Sequence, residues 1–322
     1  MKQGISTVKK ADAASRADGR SRGAATWAAV VQHRHYYALL LPVMALLVLI
    51  HYVPMAGIVI AFKQFNIKGG LWHSPWVGFK YFKQMLETPS FLAILWNTVR
   101  ISFLKVLFGF PAPILFALIL NEIPGLRAKK VFQTVSYLPH FLSWVVVAGL
   151  VMSMLSIQGP VNYVLSLLGG KPVIFMQESG LFTGIVVVSD IWKGIGWGSI
   201  IYLAAIAGID VQLYEAAAMD GARRLQRVLH ITLPSLVPII GTLFILRMGG
   251  LLNAGFDQVL NLYNPMVLDK ADIIDTYVYR TGLVQMQYSF SAAVGLSKNL
   301  VGFLMVVLTN ATVNRLGGTT LT

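Results

Sequence analysis

EAAAMDGARRLQRVLHITLP, residues 215–234, is a polar, arginine-rich stretch between two apolar runs that are each long enough to cross a bilayer. The alanines favour a helix, Asp220-Gly221 favours a turn, and residues 222–231 favour a second short helix that Leu233-Pro234 ends. A charged hairpin between two membrane spans is suited to contact with a soluble partner. The pattern therefore predicts a compact helix-turn-helix that presents Glu215, Asp220, Arg223, Arg224 and Arg227.

The composition of the chain predicts an all-α integral membrane protein. Its 322 residues are 56% hydrophobic and 12% charged, and they include no cysteine. The apolar runs are continuous rather than alternating, and they are too long for barrel strands, so we expect helices. Six runs are long enough to span a bilayer: 37–62, 93–120, 137–156, 181–207, 235–257 and 290–313.

The distribution of lysine and arginine predicts the orientation of these helices. Residues 1–35 are rich in small and basic residues, which predicts a disordered cytoplasmic tail; residues 36–315 form the transmembrane domain, and residues 316–322 form a short cytoplasmic tail. With both termini inside, the inner segments carry fourteen basic residues and the outer segments seven. This N-in/C-in topology accounts for the formal charge of +13 without a nucleic-acid partner.

The segments outside the membrane are short. The outer segment 63–92 includes an aromatic-rich stretch, 76–83, which indicates either an anchor at the membrane surface or a contact for a docking protein. None of the outer segments is long enough for a domain. We therefore expect a separate protein to capture any solute with high affinity.

No motif for catalysis occurs in the chain. The phosphate-binding pattern G-x-x-x-x-G-K-[ST] is absent, and so are the zinc-protease and nucleophile-elbow motifs. The six histidines show no metal-ligand spacing apart from His33 and His35 in the polar tail. We therefore expect no enzyme activity and no cofactor bound by this chain, and any energy for active transport would have to come from a partner.

The hairpin and several other motifs resemble those of permease subunits of binding-protein-dependent ABC importers for saccharides. The resemblance covers roughly residues 36–315, and within the family it is greatest to permeases for complex polysaccharides, in particular those of alginate importers. Five further motifs support it: Trp76-Val77-Gly78-Phe79, Asn97-Thr98, Gly159-Pro160-Val161-Asn162, Asp190-Ile191-Trp192-Lys193 and Gly255-Phe256-Asp257-Gln258.

The resemblance implies a type I importer permease fold in the bacterial cytoplasmic, or inner, membrane. It also implies a second homologous permease, two ATPase subunits that bind ATP and Mg, and an external or periplasmic solute-binding protein. The cargo would be an oligo- or polysaccharide.

In such a permease the hairpin at 211–234 would dock on an ATPase subunit. Glu215 would face basic groups of that subunit, Ala216 and Ala217 would allow close approach, Gly221 would make the turn, and Pro234 would redirect the chain. A purely structural role in building the hairpin is the alternative for the alanines, Gly221 and Pro234. The residues predicted to take part in coupling are Glu215, Ala216, Ala217, Asp220, Gly221, Arg223, Arg224 and Pro234.

Charged residues inside the predicted spans point to the cargo. Each costs at least about 2.5 to 3.5 kcal/mol to insert, so they should face the protein interior or a wet cavity. Their excess is positive, which favours an anionic solute such as a uronate oligomer. The cations are Arg100, Lys105, Lys193, Arg247 and Lys298, against Asp190 and, near an end, Asp257.

Some of these cations have simpler explanations. Lys193 lies one turn after Asp190 and is expected to pair with it, whereas Arg100 and Lys298 could extend to the outer surface. Arg247 and Lys105 lie nearer the middle of a span, without an acid at helical spacing. Arg247 and Lys298 are the leading candidates for substrate choice, because the family pattern does not require a cation at either position.

Two other function classes remain open from the sequence. An ion-coupled secondary transporter or channel would use the membrane charges without an ATPase. A structural anchor for a cytoplasmic complex would leave those charges unexplained.

Overall fold

The computed structural model describes residues 32–315, and most of them are helical. Within that range the only extended pairing is an isolated antiparallel bridge between Lys63 and Trp76. The all-α prediction is confirmed. The principal helices are α1 (Arg34–Phe62), α2 (Lys80–Glu87), α3 (Pro89–Glu122), α4 (Leu126–Phe141), α5 (Trp144–Met154), α6 (Pro160–Leu167), α7 (Ser179–Ala207), α8 (Val211–Met219), α9 (Arg224–Gly249), α10 (Phe256–Leu262), α11 (Ile274–Tyr279) and α12 (Tyr288–Arg315).

In the described part of the chain, five helices are long and apolar enough to cross a membrane, and a bent pair makes a sixth if it is counted as one span. The five are α1, α3, α7, α9 and α12. Four of them, α1, α3, α7 and α12, lie where the sequence predicted spans. The predicted spans at 137–156 and 235–257 need correction.

The third predicted span is not one straight helix. Helices α4 and α5 meet at an angle of 107°, and the backbone is extended at Leu142 and Ser143 between them. Ser143 caps α5 by accepting a hydrogen bond from the Val146 backbone N–H. With 11 residues, α5 is about 16 Å long, which is too short to cross an apolar layer of about 30 Å.

The fifth predicted span begins and ends earlier than the apolar run indicated. Helix α9 stops at Gly249, residues 250–255 are not helical, and a separate helix, α10, follows. Gly255 has a φ of +93°, a left-handed conformation that favours glycine and directs the chain into α10. Asp257 therefore lies in the first turn of α10 rather than at the end of the span.

The chain divides after Val59 into two units. Of the predicted tail at 1–35, residues 1–31 lie outside the described part, and α1 begins at Arg34. The predicted tail at 316–322 also lies outside the described residues.

Helix α7 is the central element of the second unit. It packs against α3, α4 and α9. Its Gly196 lies so close to α4 that an added Cβ would be 2.1 Å from the Ser136 carbonyl oxygen. Large apolar side chains face outward on the same helices, for example Phe103, Ile119 and Val188, as expected for surfaces in contact with lipid.

Candidate functional sites: the hairpin and the membrane charges

The hairpin at 211–234 forms as a helix and a left-handed turn. Asp210 caps α8 by accepting a hydrogen bond from the Gln212 N–H at 2.9 Å. Helix α8 ends at Met219 and is followed by Gly221, whose φ is +77°, and the Ala222 N–H then donates to the Ala217 carbonyl at 2.9 Å. This is the usual glycine-based helix end, so the predicted turn at Asp220-Gly221 is confirmed.

The second arm of the hairpin differs from the prediction. It begins at Arg224 rather than Ala222. It is the first part of α9 and is not separated from the membrane span by a break. Pro234 therefore does not end a helix or redirect the chain. A π-helical turn, Val228–Thr232, immediately precedes Leu233-Pro234. The wider turn accommodates the proline, which lacks a donor for the helical ladder.

Side chains hold the two arms together. The Tyr214 hydroxyl of α8 and the Thr232 hydroxyl of α9 are 2.8 Å apart, and Thr232 is buried. At the start of α9, Gln226 accepts a hydrogen bond from the Arg223 backbone N–H at 2.7 Å. The hairpin is thus stabilised by its own contacts and lies at the beginning of a membrane helix.

The charged side chains of the hairpin point into solvent. Glu215, Asp220, Arg223 and Arg224 are all exposed, and none of them forms an ion pair within the described range 32–315. Ala216 is exposed and Ala217 is half-buried. These groups are available to a partner.

Two apolar residues beside the turn were not singled out from the sequence. Met219 is 89% exposed and Leu225 is 68% exposed. Exposed apolar side chains at the tip of a polar hairpin are typical of residues that insert into a partner. Their alternation with charged residues in the loop is the signal that could have identified them.

Inside the membrane, Lys105 is the centre of a buried polar network. It is 3% exposed, and its ammonium contacts Asp190 Oδ1 at 3.2 Å and donates to Gln258 Oε1. The Gln258 amide in turn donates to the Val186 carbonyl at 2.7 Å and to Ser189 Oγ at 2.8 Å. The network joins α3, α7 and α10.

The network explains the glycine that precedes α10. An added Cβ on Gly255 would lie 2.7 Å from the Lys105 Nζ, so a side chain there would displace the ammonium from its present position. The motif Gly255-Phe256-Asp257-Gln258 thus supplies both the space and the amide for Lys105. Sequence reasoning missed Gln258 because its partners lie 69 to 153 residues away in the chain.

Lys193 does not pair with Asp190 as predicted. Its Nζ donates to the carbonyl oxygens of Pro139 and His140, at 3.3 and 2.7 Å, and lies over the Trp144 ring at 5.6 Å. These carbonyls end α4, so Lys193 fastens the bend between α4 and α5 to α7. Asp190 is instead shared by cations of α3 and α9.

Arg247 is the cation most open to a ligand. Its guanidinium is 4.0 Å from Asp190 Oδ2, and its side chain is 49% exposed, whereas that of Lys105 is 4% exposed. Asp190 therefore has two cations around it, and the looser pair is with Arg247.

The prediction of uncompensated cations is wrong for Lys298, as it is for Lys105. Both oxygens of Asp275 accept hydrogen bonds from the Lys298 ammonium, at 2.5 and 2.7 Å. This acid lies 23 residues earlier in the chain, beyond the reach of helical spacing. Arg100 is half-buried and has no hydrogen-bond or ion-pair partner among the described residues.

The segment before α12 holds a second ion pair. The Arg280 guanidinium donates to both carboxylate oxygens of Asp272, and this hydrogen bonding raises the pKa of Arg280 despite its partial burial. The Asn97 side chain of α3 donates to the carbonyl of Asp272 at 3.2 Å. These contacts fasten the segment to α3.

Comparison with known proteins found a matching family, similar relatives and similar solved structures. Residues 109–317 match the family described as "binding-protein-dependent transport system inner membrane component". The polygalacturonan/rhamnogalacturonan transport system permease protein YteP of Bacillus subtilis (strain 168) is 42% identical over 289 residues, which cover 89% of this chain and 90% of YteP.

Two solved structures are also similar. One is a bacterial ABC transporter involved in the import of the acidic polysaccharide alginate; its matching chain has a TM-score of 0.83 at 40% identity, over 90% of this chain and 98% of its own length. The other is a bacterial alginate ABC transporter in complex with an alginate pentasaccharide-bound periplasmic protein, with a TM-score of 0.84 at 39% identity, over 92% of this chain and 99% of its own.

Proposed function

This chain belongs to the family of binding-protein-dependent inner membrane transport components and is the permease component of a sugar ABC importer, and on that premise we propose that its cargo is an acidic oligo- or polysaccharide. Membership does not favour the alternative of an ion-coupled transporter or channel. The importer permease fold is of type I. The cargo, the partners and the orientation are the proposed parts.

The main support for an acidic cargo is Arg247. Its side chain is half-exposed, and it lies beside Asp190, a carboxylate that it shares with Lys105. Lys105 and Arg247 together carry two positive charges against the single Asp190. Lys193 adds a third cation nearby in sequence, held by carbonyl oxygens rather than by a carboxylate. A local excess of positive charge in a site of low dielectric attracts a uronate carboxylate.

The relatives support the same chemistry. One of the similar structures is that of a transporter involved in the import of an acidic polysaccharide. A similar permease belongs to a transport system for polygalacturonan and rhamnogalacturonan. We therefore propose different roles for the five cations. Arg247 contacts the cargo, and Lys105 and Lys193 add to the positive electrostatic field around it. Lys298 is neutralised by Asp275. Arg100 is a secondary candidate for contact with the cargo.

Uptake by the complete importer tests the cargo. Arg247→Gln is expected to raise the KM for a uronate oligosaccharide about tenfold, which corresponds to about 1.4 kcal/mol, and to leave uptake of a neutral oligosaccharide of equal length unchanged. Arg247→Lys, which keeps the charge, should retain most of the preference. Equal preference for the two sugars in wild type and Arg247→Gln would contradict the proposal.

We further propose that ATPase subunits drive transport through the hairpin at 211–234. The docking surface consists of Glu215, Arg223 and Arg224, which have no ion-pair partner among residues 32–315, and of the exposed Met219 and Leu225. ATP and Mg would be bound by two such subunits, and a second permease and an external or periplasmic solute-binding protein would complete the importer.

The structure of α9 supports a direct mechanical link. One continuous helix begins in the hairpin at Arg224 and reaches Arg247, a distance of about 35 Å at 1.5 Å per residue. Movement of the docked hairpin would be transmitted along this helix to the charge network. The pathway could then alternate between outward and inward access as a rigid-body change.

The proposed orientation places both termini and the hairpin in the cytoplasm of a bacterium, with the permease in its inner membrane. The chain has no cysteine, so single cysteines can be introduced without removing any. A thiol reagent that does not cross membranes should label Lys270→Cys in intact spheroplasts and Arg224→Cys only after permeabilisation. The reverse pattern would overturn the orientation.

A further inference from the structure

A groove between the end of α9 and the middle of α12 is not used by the proposed hairpin or by Arg247. It is lined by Gly249, Asn253, Asn299, Gly302, Phe303 and neighbouring residues. Glycines take part in the contact: an added Cβ on Gly302 would lie 3.5 Å from the Gly249 carbonyl oxygen, and one on Gly249 would lie 2.9 Å from the Val306 side chain. The two elements therefore meet at the same level of the structure.

The depth of the groove is set by α12. The apolar span of this helix is Tyr288–Thr312, and Asn299 lies near its middle. Gly302 is less than one turn farther along, so the end of α9 at Gly249 is also deep in the membrane. The chain at 250–255 is not helical at this depth. Non-helical backbone at such a depth is tolerated only where it is covered by protein or lines a wet cavity.

The polar side chains of the groove have no partner among residues 32–315. Asn253 and Asn299 are exposed, and neither side-chain amide forms a hydrogen bond there. An unsatisfied amide facing lipid is costly, so these two groups require water, a ligand or a neighbouring subunit. Phe303 lies one helical turn after Asn299 and is 64% exposed.

The charge of the groove is balanced. Lys298 also lines it, but its ammonium is held by Asp275. What remains for recognition is two amides, which donate and accept hydrogen bonds, and one flat apolar ring. Hydroxyl groups and the apolar face of a sugar ring match this combination.

We propose that the groove between 249–253 and 299–303 is a saccharide subsite of the translocation pathway. The amides of Asn253 and Asn299 hydrogen-bond sugar hydroxyls, and the Phe303 ring packs against the ring of the same sugar. The proposal rests on the sugar importer family and not on the acidic cargo, since no free charge is involved.

Uptake by the complete importer, with its ATPase subunits and solute-binding protein, tests the subsite. Asn253→Leu with Asn299→Leu is expected to raise the KM for whichever saccharide the wild type carries by about tenfold or more. Phe303→Leu is expected to have a smaller effect in the same direction, and Asn299→Gln should retain most uptake. Phe108→Leu, an exposed phenylalanine of α3 outside the groove, is the matched control and should leave uptake unchanged.

Copurification of the partner subunits and uptake together decide the outcome. Normal assembly with a raised KM supports the subsite. Loss of the second permease from the complex would show that the groove is a subunit interface and would overturn it. Normal assembly with unchanged uptake would also overturn it. Uptake of acidic and neutral sugars by the Arg247→Gln variant is a separate measurement. If that measurement shows that the cargo is not acidic, the test of the subsite is still valid.

A cysteine at position 299 gives a second measurement that does not depend on transport. In the assembled importer, Asn299→Cys should react with a small water-soluble thiol reagent, and saturating saccharide with its binding protein should slow the reaction several-fold. Absence of reaction, or a rate that saccharide does not change, would contradict the proposal.

Discussion

The hairpin at 211–234 and the membrane charge network contain the same kinds of side chain but use them in opposite ways. In the hairpin, Glu215, Arg223 and Arg224 are exposed and unpaired within the described residues. In the membrane, Lys105 and Lys298 are held by carboxylates. An unpaired charge costs little in water and much in an apolar layer. Charges available to partners are therefore concentrated on the hairpin. Among the described membrane cations, the exceptions are Arg100, which has no partner there, and Arg247, whose contact with Asp190 is loose.

The largest expected effect comes from removing the central cation of the membrane network. Lys105→Met leaves Gln258 Oε1 without its donor and Asp190 with only the looser contact to Arg247. Breaking a buried ion pair typically costs about 3 to 5 kcal/mol. We expect the purified protein in detergent to unfold at a much lower temperature than wild type, as measured by loss of the monodisperse peak after heating.

Two variants sharpen this comparison. Lys105→Met with Asp190→Asn should recover part of the loss, because the carboxylate is no longer left with a missing partner. Lys83→Met removes an exposed cation whose contact with Glu87 is 3.7 Å long, and it should leave the unfolding temperature almost unchanged. An equal loss in Lys83→Met and Lys105→Met would contradict the contrast between exposed and buried charges.

A smaller effect is expected at the contact between α7 and α4. Gly196→Ala places a Cβ within 2.1 Å of the Ser136 carbonyl oxygen, so the helices must separate. Overpacking of this kind typically costs about 1 to 3 kcal/mol. The same heating measurement applies. Gly194→Ala on the same helix is the control, since its Cβ has no atom within 4 Å, and a similar loss in both variants would contradict the packing argument.

The smallest stability effect is expected in the hairpin. Gly221 has a φ of +77° with open space around it, so Gly221→Ala is opposed by backbone conformation alone, at about 1 to 2 kcal/mol. Because the strain is local, the unfolding temperature of the whole protein should change little. Copurification of the ATPase should instead fall. Gly208→Ala, before the hairpin and without a positive φ, should behave as wild type.

The same contrast explains what could be predicted from sequence. The hairpin turn at Asp220-Gly221 depends on neighbours within five residues, and it was predicted correctly. Four of the spans followed from hydropathy alone. Pairing in the membrane depends on contacts such as Lys105 with Asp190, 85 residues apart, and no periodic pattern records them.

The errors have local physical causes. Lys193 was expected to pair with Asp190 because helical spacing allowed it, but the carbonyls that end α4 take its ammonium. Pro234 was expected to end a helix, but a π turn before it lets the helix continue. The fifth span was extended too far because hydropathy does not register the glycines at 249, 250 and 255.

The central claim is that the free charges of the hairpin serve to dock the ATPase that drives this permease. Copurification with the ATPase subunit from cells expressing the complete importer tests it most directly, with Glu215→Arg compared to Gln212→Arg, which adds the same positive charge to α8 but keeps the carboxylate. We predict that Glu215→Arg loses at least about nine-tenths of the bound ATPase, as expected for a reversed charge at an interface, whereas Gln212→Arg retains most of it. Undiminished ATPase with Glu215→Arg would contradict the account.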